Sequence, residues 1–198
     1  MRDMKTNKNK MKFNYAVMTF EVPSTCLRTT DYWGKPLEKP YINIGRKEVA
    51  SMSKAFVKKN YPSLLVWGSS ETFANGNSVS VNVCNGDGSD LDLGSVEWKT
   101  IAGFVNSLSG GKYNGWEEIY EYGDGFETEN GTKIESYAKY VHCNNSAPHG
   151  TWPSAVKTIK GLLAGEYVFG PLNVEKAIEK AKYFGYSESN IEKALKLI

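Results

Sequence analysis

The sequence predicts an α+β fold: a largely antiparallel sheet packed by amphipathic helices, with a C-terminal helical hairpin. Three observations predict it. Stretches with a two-residue alternation, such as GNSVSVNVC, are short and bounded by Gly, Pro or Asn-Gly turn signals. Stretches with helical periodicity fall between them without the regular strand–helix alternation that a parallel sheet demands. From Pro153 to the end, only helical periodicity remains. The expected organisation is a basic flexible leader over residues 1–12, an α+β domain over 13–152 and a helical segment over 153–198 packed on it.

The elements follow in order. KFNYAVMTFEV alternates as one strand that Pro23 ends, and Ser24 to Ile44, rich in Thr, Pro and Gly, reads as a long connection wrapping the domain. RKEVASMSKAFVKKNYP places Val49, Met52, Phe56 and Val57 on one side of a helix, with most of its lysines elsewhere, and Pro62 marks its end. SLLVWG is an apolar strand. GNSVSVNVC is a second, with Val79, Val81 and Val83 facing a core shared with Trp98, Ile101 and Val105, and Ser78, Ser80 and Asn82 on the other face. Asn75-Gly76 in the link between these strands is a hairpin signal. NGDGSDLDLGS is a polar loop, and VEWKTIAGFVNSL is an amphipathic helix weakened by Gly103. WEEIYEYGDGFETENGTKIESYAKYVHCN offers two or three strands divided at Gly123-Asp124-Gly125 and Asn130-Gly131. Three helical segments close the chain. Asn173 is placed to cap the second, and Ser189 with Glu192 fits a capping box for the third.

The charge is unevenly spread. The formal net charge is +2, yet residues 1–84 carry 13 Lys/Arg against 6 Asp/Glu, residues 85–135 carry 3 against 11, and residues 136–198 carry 8 against 5. A single-sign block of this size steers an oppositely charged partner unless basic segments balance it in space. Its densest part, GGKYNGWEEIYEYGDGF, also holds five aromatic residues. Asp87, Asp90, Asp92, Glu117, Glu121, Asp124 and Glu127 are therefore the candidate acidic contacts. Tyr113, Trp116, Tyr122 and Phe126 are the candidate ring anchors of a surface for a basic protein. Because strand alternation sends some rings inward, a half-buried hairpin is the bland alternative. A second candidate surface, for nucleic acid, is the basic leader with the helix bearing Lys54, Lys58 and Lys59.

Catalytic and metal motifs are not completed. NGDGSDLDL fails as an EF-hand loop: with Asp87 first, Leu91 occupies the fifth position. SLSGGKY fails as a phosphate loop, with Asn106 in place of the first glycine and Tyr113 in place of Ser or Thr. His142, Cys143, His149 and Cys84 match no zinc spacing, and three cysteines without motif spacing read as reduced, packed thiols. No cofactor, metal site or catalytic set is expected, and the protein is read as a non-enzyme. No apolar run has the length of a membrane span and MRDMKTNKNKMK lacks a signal-peptide core, so a soluble, cytoplasmic protein is expected.

Two resemblances add to this reading. AIEKAKYFGYSESNIEKALKLI, helix, Gly-Tyr-Ser turn, helix, looks like part of a ubiquitin-associated helical module. More broadly, AFVKKNYP, SLLVWGSS, NSVSVNV with NGDGSD, the helix after it and GGKYNGWEEIYEY resemble, over Ala50 to Trp152, the twenty-ninth family of large polyvalent protein-associated domains. That family's Asn/Asp-Gly-aromatic-acid segment is matched by Asn114-Gly115-Trp116-Glu117, whereas Cys84 stands where an aromatic is usual. The resemblance implies a gene of a phage or conjugative element, acting in the bacterial cytoplasm. By association it implies a counter-defence inhibitor of the anti-CRISPR or antirestriction kind, whose partner is a host defence nuclease or its complex, a Cas effector first. A direct nucleic-acid-binding accessory protein is the alternative.

Overall fold

The structure, a computed structural model, describes residues 9–74, 76–114, 119–123 and 125–198, with the backbone alone for 112–114 and 119–122. The expected α+β class is what forms. Strands β1 (Lys10–Tyr15) and β2 (Met18–Pro23) pair as a hairpin, and β3 (Leu27–Thr30) and β4 (Pro36–Ile44) follow. After α1 (Arg46–Asn60) come β5 (Leu65–Phe73), β6 (Gly76–Cys84) and α2 (Val96–Ser107). Then come β7 (Gly111–Asn114), β8 (Ile119–Tyr122), β9 (Phe126–Glu127), β10 (Lys133–Ser136) and β11 (Tyr140–Asn144). The chain closes with α3 (Trp152–Ala164), α4 (Val174–Tyr183) and α5 (Glu188–Leu195). Sheet orders are β1-β2, β3-β4-β10-β9, β11-β6-β5 and β7-β8.

The first expected strand is in fact two, and strand begins at Lys10, inside the expected leader. A two-residue turn at Ala16 (φ 50°) and Val17 (φ 61°) sets Phe13 opposite Phe20 and Tyr15 opposite Met18. No glycine or asparagine announces this turn. The apolar parity does: it runs 11, 13, 15 and then 18, 20, 22, and in each strand those positions are the more buried ones. Lys10 and Lys12, read as leader charges, each lie 3.3 Å from Glu21 on the facing strand.

The segment from Ser24 to Ile44 is likewise a hairpin rather than a wrapping connection. A 3-10 turn (Ser24–Cys26) leads into β3, which pairs antiparallel with β4 from Leu27↔Ile42 to Thr30↔Pro36. Proline lacks the N–H a ladder needs. Pro36 and Pro40 fit because β10 pairs with β4, in parallel, only across Ile42–Ile44.

The helices follow the expected periodicity. Val49, Met52, Phe56 and Val57 of α1 are buried, as are Ile101, Phe104 and Val105 of α2 and Leu108 just after it, while Trp98 is half-buried. Val79, Val81 and Val83 are fully buried. By contacts the chain divides into two compact units: Met1–Phe56, Gly68–Val81 and Ile101–His142 form one, and Val57–Trp67, Asn82–Thr100 and Cys143–Ile198 the other. In the first, Phe104 is an aromatic hub that the periodicity did not single out, stacked on Phe56 at 3.9 Å and meeting Phe20 and Tyr15 at 5.8 and 5.9 Å. In the second, Val156, Ile159 and Leu162 of α3 join Ala177, Ala181, Ile191 and Ala194 of α4 and α5 in a small core of three helices rather than a hairpin alone. Asn173 caps α4 by accepting from the Lys176 N–H. The cap of α5 is Ser187 rather than Ser189: its hydroxyl accepts from the Asn190 N–H, two residues ahead of the expected box. In SESN both serines have a polar residue three positions on, and Gly185 (φ 88°) ends α4 so that Ser187 enters first.

Candidate interaction surfaces

Asp87, Asp90 and Asp92 lie on the exposed loop between β6 and α2, where local hydrogen bonds fix the backbone. Asn85 donates to the Ser89 carbonyl (2.9 Å), and its side-chain amide reaches Ser89 Oγ and the Asp90 carbonyl at 3.0 Å. Asp87 Oδ1 accepts from the Ser89 N–H (2.9 Å) and hydroxyl (2.7 Å), and these bonds hold its carboxyl below the ordinary range. Asp90 pairs with Lys157 of α3 at 2.7 Å, and Asp92 Oδ1 accepts from the Gly94 N–H. Asn145 clamps Leu91 from both sides, accepting its N–H (2.7 Å) and donating to its carbonyl (2.6 Å). Gly88, at φ +87°, sits so close to α3 that an added Cβ would lie 2.8 Å from Pro153. Each candidate carboxylate of this loop thus already has an intramolecular partner. Beside it runs a groove of about 390 Å³ whose lining mixes Asp87 and Asp90 with Lys157 and Lys160.

The densest acid-aromatic segment divides differently. Trp116, Glu117 and Asp124 lie outside the described residues, as does Asn75 of the expected β5–β6 turn. Tyr113 lies opposite Tyr120, Lys112 opposite Glu121 and Gly111 opposite Tyr122 in an antiparallel ribbon that extends neither larger sheet. Its base is tied by Gly110 donating to Ala138 (2.9 Å) and Gly123 donating to Gly110 (2.8 Å). An added Cβ on Gly110 would meet the Ser136 carbonyl, so a glycine is required at this crossing. Phe126 is half-buried, its ring 4.3 Å from Tyr15, and so belongs partly to the core side; Glu127 is exposed, opposite Lys133 across the β9–β10 pair.

Of the alternative basic residues, Lys58 and Lys59 are exposed, and Lys54 is half-buried with its stem against Gly68. The thiols are held protonated by burial, Cys84 and Cys143 each at about 11, with Asp90 and Asp87 adding to the shift at Cys84. Such thiols are poor nucleophiles and poor ligands near neutral pH. Among the described residues, no three His, Cys, Asp or Glu side chains converge as metal ligands, and no helix is long and apolar enough to cross a membrane.

The sequence reading missed an exposed ring pair. Tyr32 (94% exposed) and Trp33 (82%) stand at the tip of the β3–β4 hairpin, edge to face at 5.7 Å. DYWGKP carries the signal: Asp, Gly and Pro at turn positions around two adjacent rings, which a tight turn cannot both bury. No family model, curated protein or solved structure matches the chain.

Proposed function

We propose that the chain is a non-enzymatic accessory protein of a phage or other mobile element, acting in the bacterial cytoplasm. It inhibits a nucleic-acid-handling host defence protein, a Cas effector first, by laying carboxylates and rings where that partner holds phosphate. One observation carries this reading: the acid- and ring-rich segment forms a two-stranded ribbon of its own instead of joining a larger sheet. A two-stranded ribbon has little stability in isolation, so its chemistry is better explained by what it meets than by what it packs. The acids of the 85–94 loop are engaged internally, which leaves Glu121 and Glu127 with the ribbon's rings to provide the complementary field.

The direct test is target cleavage by purified defence nucleases with and without the protein, starting with Cas effectors. Inhibition is expected with at least one. Reversing Glu127, which is exposed, together with Glu121 to lysine should slow association and flatten its dependence on salt, with little change in thermal stability. Full inhibition by the double-lysine variant, or no inhibition across the panel, overturns the reading.

A further inference from the structure

The first unit carries a second feature that the ribbon does not explain. A groove of about 370 Å³ lies along β3 and β4, lined by Arg28, Thr29, Tyr32, Tyr41, Asn43 and Tyr137 among others. This is within the range of small-molecule sites, about 300–1,000 Å³. Asn43 is only 6% exposed, and its side-chain amide makes no hydrogen bond among the described residues. Asn43 lines the groove, so its amide offers an uncommitted donor and acceptor to a ligand that enters there. Arg28 lines the same groove and makes no ion pair among the described residues, while Glu135, the acid nearest in charge effect to Tyr41, is held by Lys133 at 2.9 Å. Burial first, then the charge of Glu135, raises the Tyr41 phenol, which stays a neutral donor near neutral pH.

The rings extend this chemistry outward. The turn that presents Tyr32 and Trp33 is rigid: Asp31 Oδ1 accepts from the Trp33 and Lys35 N–H groups, both at 2.9 Å, and the Asp31 N–H donates to Lys35 at 2.8 Å. Gly34, at φ +82°, completes it. The one acid at the tip is thereby tied into the backbone, while Lys35 and Lys39 make no ion pair among the described residues.

We propose that this groove, with the Tyr32–Trp33 pair beside it, binds a nucleotide unit: Asn43 meets an unpaired base edge, Tyr32, Tyr41 and Tyr137 give stacking faces, and Arg28 meets phosphate. An amide is both donor and acceptor, as a base edge requires, and a guanidinium matches phosphate in geometry as well as charge. Trp33 lies beyond the groove lining, so a single strand, which offers a second base, uses more of the surface than a free nucleotide does. An extended peptide adding to the β3 edge is disfavoured. That edge is four residues long, and its pairing register is already irregular between Arg28 and Thr30. The inference is independent of the ribbon, and ribbon variants should leave it untouched.

The test is fluorescence anisotropy of the full chain with a labelled single-stranded oligonucleotide of about a dozen nucleotides, beside duplex DNA, unlabelled mononucleotides and a β-forming peptide as competitors. Binding tighter to single strand than to duplex is expected, with a dissociation constant of roughly 100 μM or lower at low salt. Trp33→Ala, at an exposed site, should weaken it by about tenfold, and Arg28→Gln should reduce the salt slope by ~0.7. Asn43→Leu, which removes the unpartnered amide at similar volume, should abolish preference among bases while melting no lower than the parent. Mononucleotides that compete as tightly as the strand identify a free nucleotide as the source of the same chemistry; weak competition identifies the strand. Absence of binding at ~100 μM protein, equal binding of duplex, indifference to all three variants, or displacement by the peptide overturns the proposal.

Discussion

Two turns in this chain use an aspartate in the same way and to opposite ends. At Asp31 and at Asp87 a carboxylate oxygen accepts a backbone N–H two residues on, fixing the loop with a side-chain bond. The 85–94 loop then ties its polar groups to the chain around it: Asp90 goes to Lys157, Asp92 to Gly94, and Asn145 clamps Leu91. The 31–35 turn does the reverse. Having fixed its backbone, it leaves two rings in solvent and its lysine without an ion pair among the described residues. Identical local chemistry therefore says nothing about availability; the neighbours of the turn decide it. The sequence ranks these regions the other way, because acids are easy to count and partners are not.

The largest effect expected from this contrast is on the inward side. Asn145→Ala leaves the N–H and carbonyl of buried Leu91 without partners, and should cost ~2–6 kcal/mol, at ~1–3 kcal/mol for each of the two unsatisfied groups. Denaturant unfolding measures it, and a loss below ~0.5 kcal/mol would mean that water replaces the clamp and that the loop is not held as described. A third turn provides the contrast without any side-chain help. Ala16 and Val17 occupy left-handed backbone that costs a β-branched residue ~1–2 kcal/mol, so Ala16→Asn with Val17→Gly should raise stability by about 1 kcal/mol. An unchanged or lower melting temperature would show that the turn is not left-handed in solution.

These three turns also mark what the sequence makes legible. The helices, their buried faces, the Asn173 cap and the valine alternation of β6 were readable, because each is a local pattern whose period survives in the fold. The β1–β2 turn was not, since Ala-Val carries no turn preference and only the shift in apolar parity betrays it. Nor was the β3–β4 hairpin, whose prolines argue against a strand until β10 is known to pair beyond them. At the candidate surfaces, the acidic residues were legible as a block but their engagement was not. Lys157 and Asn145 lie more than fifty residues from the acids and backbone they hold, and nothing in the local sequence records that. The exposed Tyr32–Trp33 pair was overlooked for a related reason: aromatic density drew attention to the 110–126 segment, whereas exposure depends on turn geometry.

On the outward side the expected effect on stability is smaller and the effect on binding larger. Asp31→Ala removes the acceptor for two N–H groups at an exposed turn, at a cost of ~1 kcal/mol in folding. It should also let the ring pair wander, so the single-strand affinity expected for the parent should fall even though no ring or cation has been removed. Unchanged affinity would mean that the rings bind without being held, and the rigidity of the turn would lose its functional meaning. An Asp31→Asn variant keeps an acceptor oxygen and should restore most of both losses.

The smallest effect probes the inward turn at a single proton. The Asp87 carboxyl is lowered from its ordinary 3.8 chiefly by the Ser89 hydroxyl, then by the Ser89 N–H, and burial opposes them. A group whose folded value lies below its unfolded value binds fewer protons when folded, so its contribution to stability is present above pH ~4 and fades as pH falls through the folded value. Asp87 is almost fully solvated, which makes that contribution slight. Ser89→Ala should therefore barely move the unfolding midpoint at pH 7, while the Asp87 carboxyl, followed by NMR titration, shifts back toward 3.8 and the acid limb of the stability curve flattens. Retention of the low value without the hydroxyl would transfer the cause to the loop backbone or to the neighbouring lysines. The loop would then be closer to the outward turn than its hydrogen bonds indicate, its carboxylate held in place by the field around it and open to a partner's charge.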